Sequence, residues 1–157
     1  MLKKLLFFSI ISFVQAYAHV PAVTIFVHGS QNSTKYLPRD IWQCQKGLHQ
    51  VGDLPDSSCF LKDAKLLQQC DENKFPLEHY YTFGWLGKVD FKVREQAGKQ
   101  LFDDLQQLLQ QYKSQYGVYP TVCLITHSHG GNVALNMLKH FPILAEEIIC
   151  LELIMLA

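Results

Sequence analysis

Four short apolar runs are separated along the chain by polar segments that contain glycine or proline. They are rich in β-branched and aromatic side chains and alternate little between apolar and polar positions. That pattern is typical of strands buried on both faces, as in a parallel sheet. The sequence therefore predicts four strands, over residues 22–29, 78–85, 121–126 and 151–157.

Segments with helical periodicity lie between these runs. The longest begins at Asp90, a candidate N-cap, and ends before Gly117, because glycine favours a helix C-terminus. Its apolar stripe, at three- and four-residue spacing, consists of Leu101, Leu105, Leu108 and Tyr112. Shorter helices are predicted over residues 39–50, 59–70 and 130–141.

Strands that alternate with helices form right-handed βαβ units. The element order therefore predicts the α/β class, with a mostly parallel sheet flanked by helices on both faces. Residues 35–76 make a long connection between the first two predicted strands. This segment is either a lid over a site, a helical insertion, or a set of ordinary helices packed on the sheet.

The N-terminus has a different composition from the rest of the chain. Residues 1–4 include two lysines, a mostly apolar run of ten residues follows, and Ala16 and Ala18 form a small-x-small pattern. Ten residues of helix rise only about 15 Å, too little for a bilayer. We expect a signal peptide over residues 1–18, a domain over residues 19–157, and secretion or periplasmic export without a stable membrane span. The alternative is an uncleaved anchor or a buried first strand.

The chain has 157 residues and a formal net charge of zero. A balanced charge gives no reason to expect nucleic acid or an anionic membrane as a partner. Export permits disulfides, and the sequence allows a pair among Cys44, Cys59 and Cys70, which share one polar segment. Cys123 and Cys150 lie in apolar runs and are interpreted as buried hydrophobic residues.

Ser128 lies between a predicted strand and a predicted helix, in the sequence THSHGGN. This is the context of a nucleophile elbow, a sharp turn that presents a serine at the end of a strand. Small residues near the serine avoid clashes there, and Gly130 and Gly131 supply them on one side. Thr126 stands where the consensus has its first glycine. The backbone N–H of His129 is a candidate oxyanion donor at the helix N-terminus.

A second oxyanion donor is expected from the loop after the first strand. There the sequence VHGS, residues 27–30, closes an apolar strand with His-Gly. The backbone N–H of Ser30 is the best candidate, and His28 is interpreted as a residue that holds this loop by hydrogen bonds.

The FVHGS strand end, the THSHGGN elbow and the βαβ order between them resemble the α/β-hydrolase family, on its lipase and esterase side. The resemblance covers roughly residues 20–157, from the family's third strand to its sixth. It implies a serine hydrolase of carboxylic esters or lipids, with Ser128 as the nucleophile and Ser30 and His129 as oxyanion donors. It implies no cofactor, and a small-molecule ester or lipid as substrate.

The resemblance also implies missing parts. In the family the catalytic acid and histidine follow later strands, whereas no histidine or acidic residue follows Glu152 here. The 157-residue chain by itself is therefore expected to be inactive, as a hydrolase domain truncated at its C-terminal side. The alternative is a non-catalytic or degenerate hydrolase-like binding protein.

The two histidines beside Ser128 raise two other possibilities. His127 and His129 are not expected to act as the general base, because adjacent side chains on a sharp turn point apart. A histidine pair two residues apart can hold zinc on one face of a strand. The turn removes that shared face and no third ligand is evident, so no metal site is predicted.

Overall fold

The computed structural model describes residues 22–30, 46–140 and 151–156. The predicted signal peptide over residues 1–18 lies outside this part, as do residues 35–45 of the connecting segment. The elements in chain order are β1 (Ala22–Val27), β2 (Gly47–Gln50), α1 (Cys59–Cys70), β3 (Tyr80–Gly84), α2 (Phe91–Tyr116), β4 (Thr121–His127), α3 (Gly130–Leu138) and β5 (Leu151–Leu156), with 3₁₀ turns at Val51–Asp53 and Leu77–His79.

The five strands form one sheet in the order β2-β3-β1-β4-β5. β1 pairs in parallel with both β3 and β4, and β5 pairs in parallel with β4. β2 pairs with β3 in the antiparallel direction and forms one edge. The predicted α/β class is confirmed, and the sheet is mixed because of an edge strand that was not predicted.

The strand β2 contradicts the helix predicted over residues 39–50, at least over residues 47–50. Gly47 has a φ of 96°, which is not helical. The Leu48 N–H donates to Asp104 Oδ2 on α2, at 3.0 Å. Pairing with β3 and this contact with α2 hold the segment extended. Such long-range contacts override local propensity in short segments.

Alternate residues of β1 face opposite sides of the sheet. Val23, Ile25 and Val27 are fully buried in a core shared with α2 and α3. Phe26 points the other way and packs on Phe60 of α1, with ring centroids 5.2 Å apart. Helices therefore lie on both faces, which explains why the central strands are apolar at nearly every position.

The long helix α2 has the ends and the stripe that its sequence predicts. Asp90 Oδ1 accepts the N–H of Val93 at 3.0 Å, and Gly117 closes the helix with a φ of 75°. A Cβ atom at Gly98 would lie 2.6 Å from Asn136 Cβ, so α2 and α3 approach closely at this glycine. The residues of the predicted stripe, all buried, are Leu101, Leu105, Leu108 and Tyr112.

The cysteines of α1 are not paired with each other. Cys59 and Cys70 are its first and last residues, about 16 Å apart at 1.5 Å per residue, whereas a disulfide needs Cα atoms within about 7 Å. Both thiols are free, so a Cys59–Cys70 bond is excluded. Cys123 is buried, as predicted, while Cys44 and Cys150 lie outside the described residues.

Within residues 22–30, 46–140 and 151–156, no helix has a stretch long and apolar enough to cross a bilayer.

Candidate functional site

The sheet order creates a crevice between the loops that follow β1 and β4. From β1 the chain continues to β2 and β3, on one side of the sheet, while from β4 it continues to β5 on the other side. Where neighbouring parallel strands send their connections in opposite directions, the carboxyl ends leave a space in which α/β proteins bind ligands. Ser30 follows β1 and Ser128 follows β4, so both lie at this position.

Ser128 has an unusual backbone conformation. Its φ is 50°, and it is the sole non-glycine residue with a positive φ among the described residues. This conformation costs a residue with a Cβ about 1–2 kcal/mol. The Ser128 N–H donates to the carbonyl of Leu156 at 2.9 Å, so the end of β5 supports the turn. The side chain is exposed, as a nucleophile on a sharp turn must be.

Gly130 is required at the start of α3 because the helix begins against the end of β1. A Cβ atom at Gly130 would overlap the carbonyl oxygen of Val27 and lie 2.7 Å from that of His28. At Gly131 the nearest atoms to an added Cβ are 3.4 and 3.5 Å away, an ordinary contact. The two glycines of the motif therefore have different roles, and Gly130 brings the two loops together.

Thr126 is accommodated where the consensus has glycine. It is fully buried at the end of β4, and its Oγ1 donates to the carbonyl of Ile154 on β5 at 3.4 Å. The departure from the consensus is thus explained by a hydrogen bond to the neighbouring strand.

Gly29 places the β1 loop directly beside the elbow. A Cβ atom added to it would lie 2.9 Å from the His127 carbonyl oxygen and 3.0 Å from Ser128 Cβ. Only a glycine permits this approach, so the HGS and HSH segments, which are about one hundred residues apart in sequence, meet here. This contact sets Ser30 next to the turn that carries Ser128.

His28 holds the loop after β1 in place through its contacts with Trp85 and Gly29. It is buried and stacks on Trp85, with ring centroids 5.6 Å apart. Its Nε2 accepts the Trp85 N–H at 3.3 Å, which leaves the proton on Nδ1 to bond the Gly29 carbonyl at 2.8 Å. The Trp85 indole N–H returns a bond to the His28 carbonyl at 2.8 Å. Burial lowers the pKa of His28 from its usual value. His28 is therefore a neutral structural residue.

Two backbone N–H groups beside the crevice have no hydrogen-bond acceptor within the part of the chain that the structure describes. Neither the Ser30 N–H nor the His129 N–H bonds to a described residue. Within the described ranges, three buried side-chain polar atoms lack a partner, and two of them are Ser30 Oγ and His129 Nδ1. The third is Thr24 Oγ1, inside β1. Unsatisfied buried groups are rare in folded proteins, so this pair distinguishes the crevice from the rest of the described structure.

Ser128 Oγ has no general base in contact with it among the described residues. Among the described residues, no hydrogen bond joins it to His127 or His129, and His129 Nδ1 is buried without a partner. Glu152 lies opposite Cys123, toward the start of β4, and pairs with Lys74 at 3.5 Å. No group of three potential metal ligands occurs in the described ranges either.

Sequence reasoning overlooked the supports of the site. Trp85 orients His28 and also lines a cavity of about 290 Å³ between β3 and α2. Leu156 supports Ser128 through its carbonyl. A backbone contact of this kind has no signature in side-chain types, so only strand pairing reveals it.

Comparison with known proteins identifies no relative: no protein-family model, no curated protein and no solved structure matches the chain.

Proposed function

We propose that this chain carries the nucleophile and the oxyanion hole of a serine hydrolase of lipase or esterase type, with the corresponding α/β-hydrolase fold. Ser128 is the nucleophile, and the N–H groups of Ser30 and His129 are the oxyanion donors. Thr126, Gly130 and Gly131 support the elbow. The substrate class is a carboxylic ester or a lipid, and the reaction needs no cofactor.

The observation that supports this most strongly is the conformation of Ser128. Ser128 is a non-glycine residue with a φ of 50°, and it lies in a strand-to-helix turn beside the crevice between β1 and β4. It is both strained and exposed. Strain of this kind is retained where the surrounding structure enforces it, and it is concentrated at functional sites. Gly29 and Gly130 enforce it here by close backbone approach.

The reaction follows from these positions. Ser128 Oγ forms a bond to the ester carbonyl carbon, and the carbonyl oxygen takes the negative charge. The N–H groups of Ser30 and His129 and the N-terminus of α3 stabilise that charge. The ester C–O bond then breaks, the alcohol leaves with the serine proton, and an acyl-enzyme remains. Water cleaves the acyl-Oγ bond and releases the acid.

The proton transfers require a histidine and an acid from outside the described residues. Without such a base a serine hydroxyl is a weak nucleophile. The alternative function is therefore a hydrolase-like binding protein, favoured by the lack of any base in contact with Ser128 Oγ in the described structure.

A fluorophosphonate probe separates the two functions, because it forms a covalent bond only with an activated serine. The 157-residue chain and any longer product of its gene, here called the full product, are each treated with the probe, and the labelled site is found by mass spectrometry. We expect a full product that supplies a histidine and an acid to be labelled at Ser128, and the 157-residue chain weakly or not at all. Ser128→Ala should abolish the labelling, while Ser114→Ala, a change at an exposed serine of α2, should leave it unchanged.

Two results would contradict this proposal. A folded full product that reacts no faster than its Ser128→Ala variant would indicate the binding protein. Fast, stoichiometric labelling of the 157-residue chain would show that the base lies within this chain, against the expectation stated above.

A further inference from the structure

Three exposed apolar side chains lie close together in the connection between β3 and α2 and at the first residue of α2. Within residues 86–92, here called the docking loop, Leu86, Val89 and Phe91 are 48%, 58% and 84% exposed. A large apolar side chain that is this exposed gains little from folding, and a group of three within six residues marks an interaction site more often than isolated ones do.

The docking loop is also positively charged. Lys88 and Lys92 alternate with the apolar residues, are exposed, and form no ion pair with any described residue. Asp90, the acidic residue between them, accepts the N–H of Val93 as the N-cap of α2. Its carboxylate stays charged and exposed, so the loop carries a net charge of +1, with two lysines, one aspartate and three exposed apolar side chains.

Phe91 is held in place by contacts on both sides of it in the chain. The guanidinium of Arg94 lies over the Phe91 ring, 4.6 Å from its centroid, and Arg94 itself is buried. The Asp90 cap fixes the backbone before Phe91. A ring that is supported on one face by a buried cation loses little further freedom on binding, which favours association.

The docking loop lies at the same end of the sheet as the crevice. It begins directly after β3, at the carboxyl end of the sheet, where Ser30 and Ser128 also lie. A surface bound by this loop would therefore face the same end of the molecule as the crevice.

We propose that the docking loop binds the surface of an anionic phospholipid membrane. Leu86, Val89 and Phe91 enter the boundary between head groups and acyl chains, and Lys88 and Lys92 contact the phosphates. Aromatic and aliphatic side chains interleaved with lysine are the composition that binds such interfaces. Charge complementarity selects a lipid surface over a second copy of the chain, because two copies would place their lysines together.

Binding to vesicles tests this inference independently of hydrolysis. The protein is co-sedimented with vesicles of phosphatidylcholine alone or of phosphatidylcholine with phosphatidylglycerol, over a range of salt concentrations. We expect binding to the anionic vesicles that weakens with salt. Phe91→Ala should reduce the affinity by about tenfold or more. Lys88→Gln with Lys92→Gln should reduce it by about 25-fold, because each lysine contributes about fivefold.

Helix α1 provides a matched control. Leu66 on it is 59% exposed and is flanked by the exposed Lys62 and Lys65. Leu66→Ala and Lys62→Gln should leave vesicle binding unchanged. That result would show that an exposed apolar or charged residue elsewhere on the surface does not contribute to vesicle binding. Ser128→Ala should bind as the wild type does, so a failure of the hydrolase proposal would not affect this result.

Three outcomes would overturn the inference. They are equal binding to both vesicle types, no binding to either, and loss of binding in the α1 variants as large as that in the loop variants. Sedimentation velocity adds a further criterion by measuring self-association. If the protein self-associates, if Phe91→Ala abolishes this, and if the protein does not bind vesicles, the docking loop binds a second copy of the chain. If Phe91→Ala lowers the melting temperature, Val89→Ser gives the same comparison without altering the Arg94 contact.

Discussion

Gly130 is the residue at which the two loops of the site come together. An alanine there would overlap the Val27 and His28 carbonyl oxygens, and backbone atoms cannot move aside cheaply. We expect Gly130→Ala to lower the free energy of unfolding by about 1–3 kcal/mol or more. Gly131→Ala is the matched control, because its Cβ has room and alanine is favoured in a helix by up to about 1 kcal/mol. Urea denaturation measures both, and equal losses would refute the close approach.

His28 should make stability depend on pH. Burial lowers its pKa in the folded chain below the unfolded value of about 6.5. At pH values between these two, the unfolded chain binds more protons than the folded chain. The stabilisation is present above about pH 6.5 and is lost as the pH falls. We expect the wild type to lose stability more steeply than His28→Gln between about pH 7 and pH 5, by up to about 1.4 kcal/mol per unit. Denaturation at several pH values measures this, and parallel curves would contradict it.

At the scale of elements, the crossing of α2 and α3 depends on Gly98. A Cβ there would lie 2.6 Å from Asn136 Cβ and 2.8 Å from the Met137 nitrogen, so Gly98→Ala must separate the helices. We expect a loss of about 1–3 kcal/mol, although alanine is the better helix former. Gly52→Ala, with nothing within 4 Å, should change stability by less than about 0.5 kcal/mol. A stabilised Gly98→Ala in thermal denaturation would show that the helices have room.

The elements differ in how far sequence predicts them. α2 is predictable because its cap, its stripe and its closing glycine all agree, and Asp90 and Gly117 occupy the expected positions. β2 is not, because four residues carry too little periodicity and their conformation is decided by β3 and by Asp104. The start of α3 at Gly130 agrees with the predicted helix, but the contact of Gly130 with β1 cannot be read from local composition.

At the scale of the whole molecule, the sheet order decides where chemistry can occur. β1 lies at the centre, so the connections that follow β1 and β4 run to opposite sides of the sheet, and Ser30 and Ser128 lie beside one crevice. Net charge is a poor guide at this scale. The zero total gave no reason to expect an anionic membrane, yet it is a sum over the chain and does not show that Lys88 and Lys92 share one apolar loop.

The sequence by itself determined the kinds of local structure and the candidate chemistry: four of the five strands, the long helix, and Ser128 in a strand-to-helix turn. These follow from hydrophobic period, caps and glycine positions, which are local properties. Only the tertiary structure decided that Gly29 lies against Ser128, that Trp85 fixes His28 and that Leu156 supports the elbow. Those contacts join residues about 28 to one hundred positions apart, and their geometry is set by strand order and close packing, which no local pattern encodes.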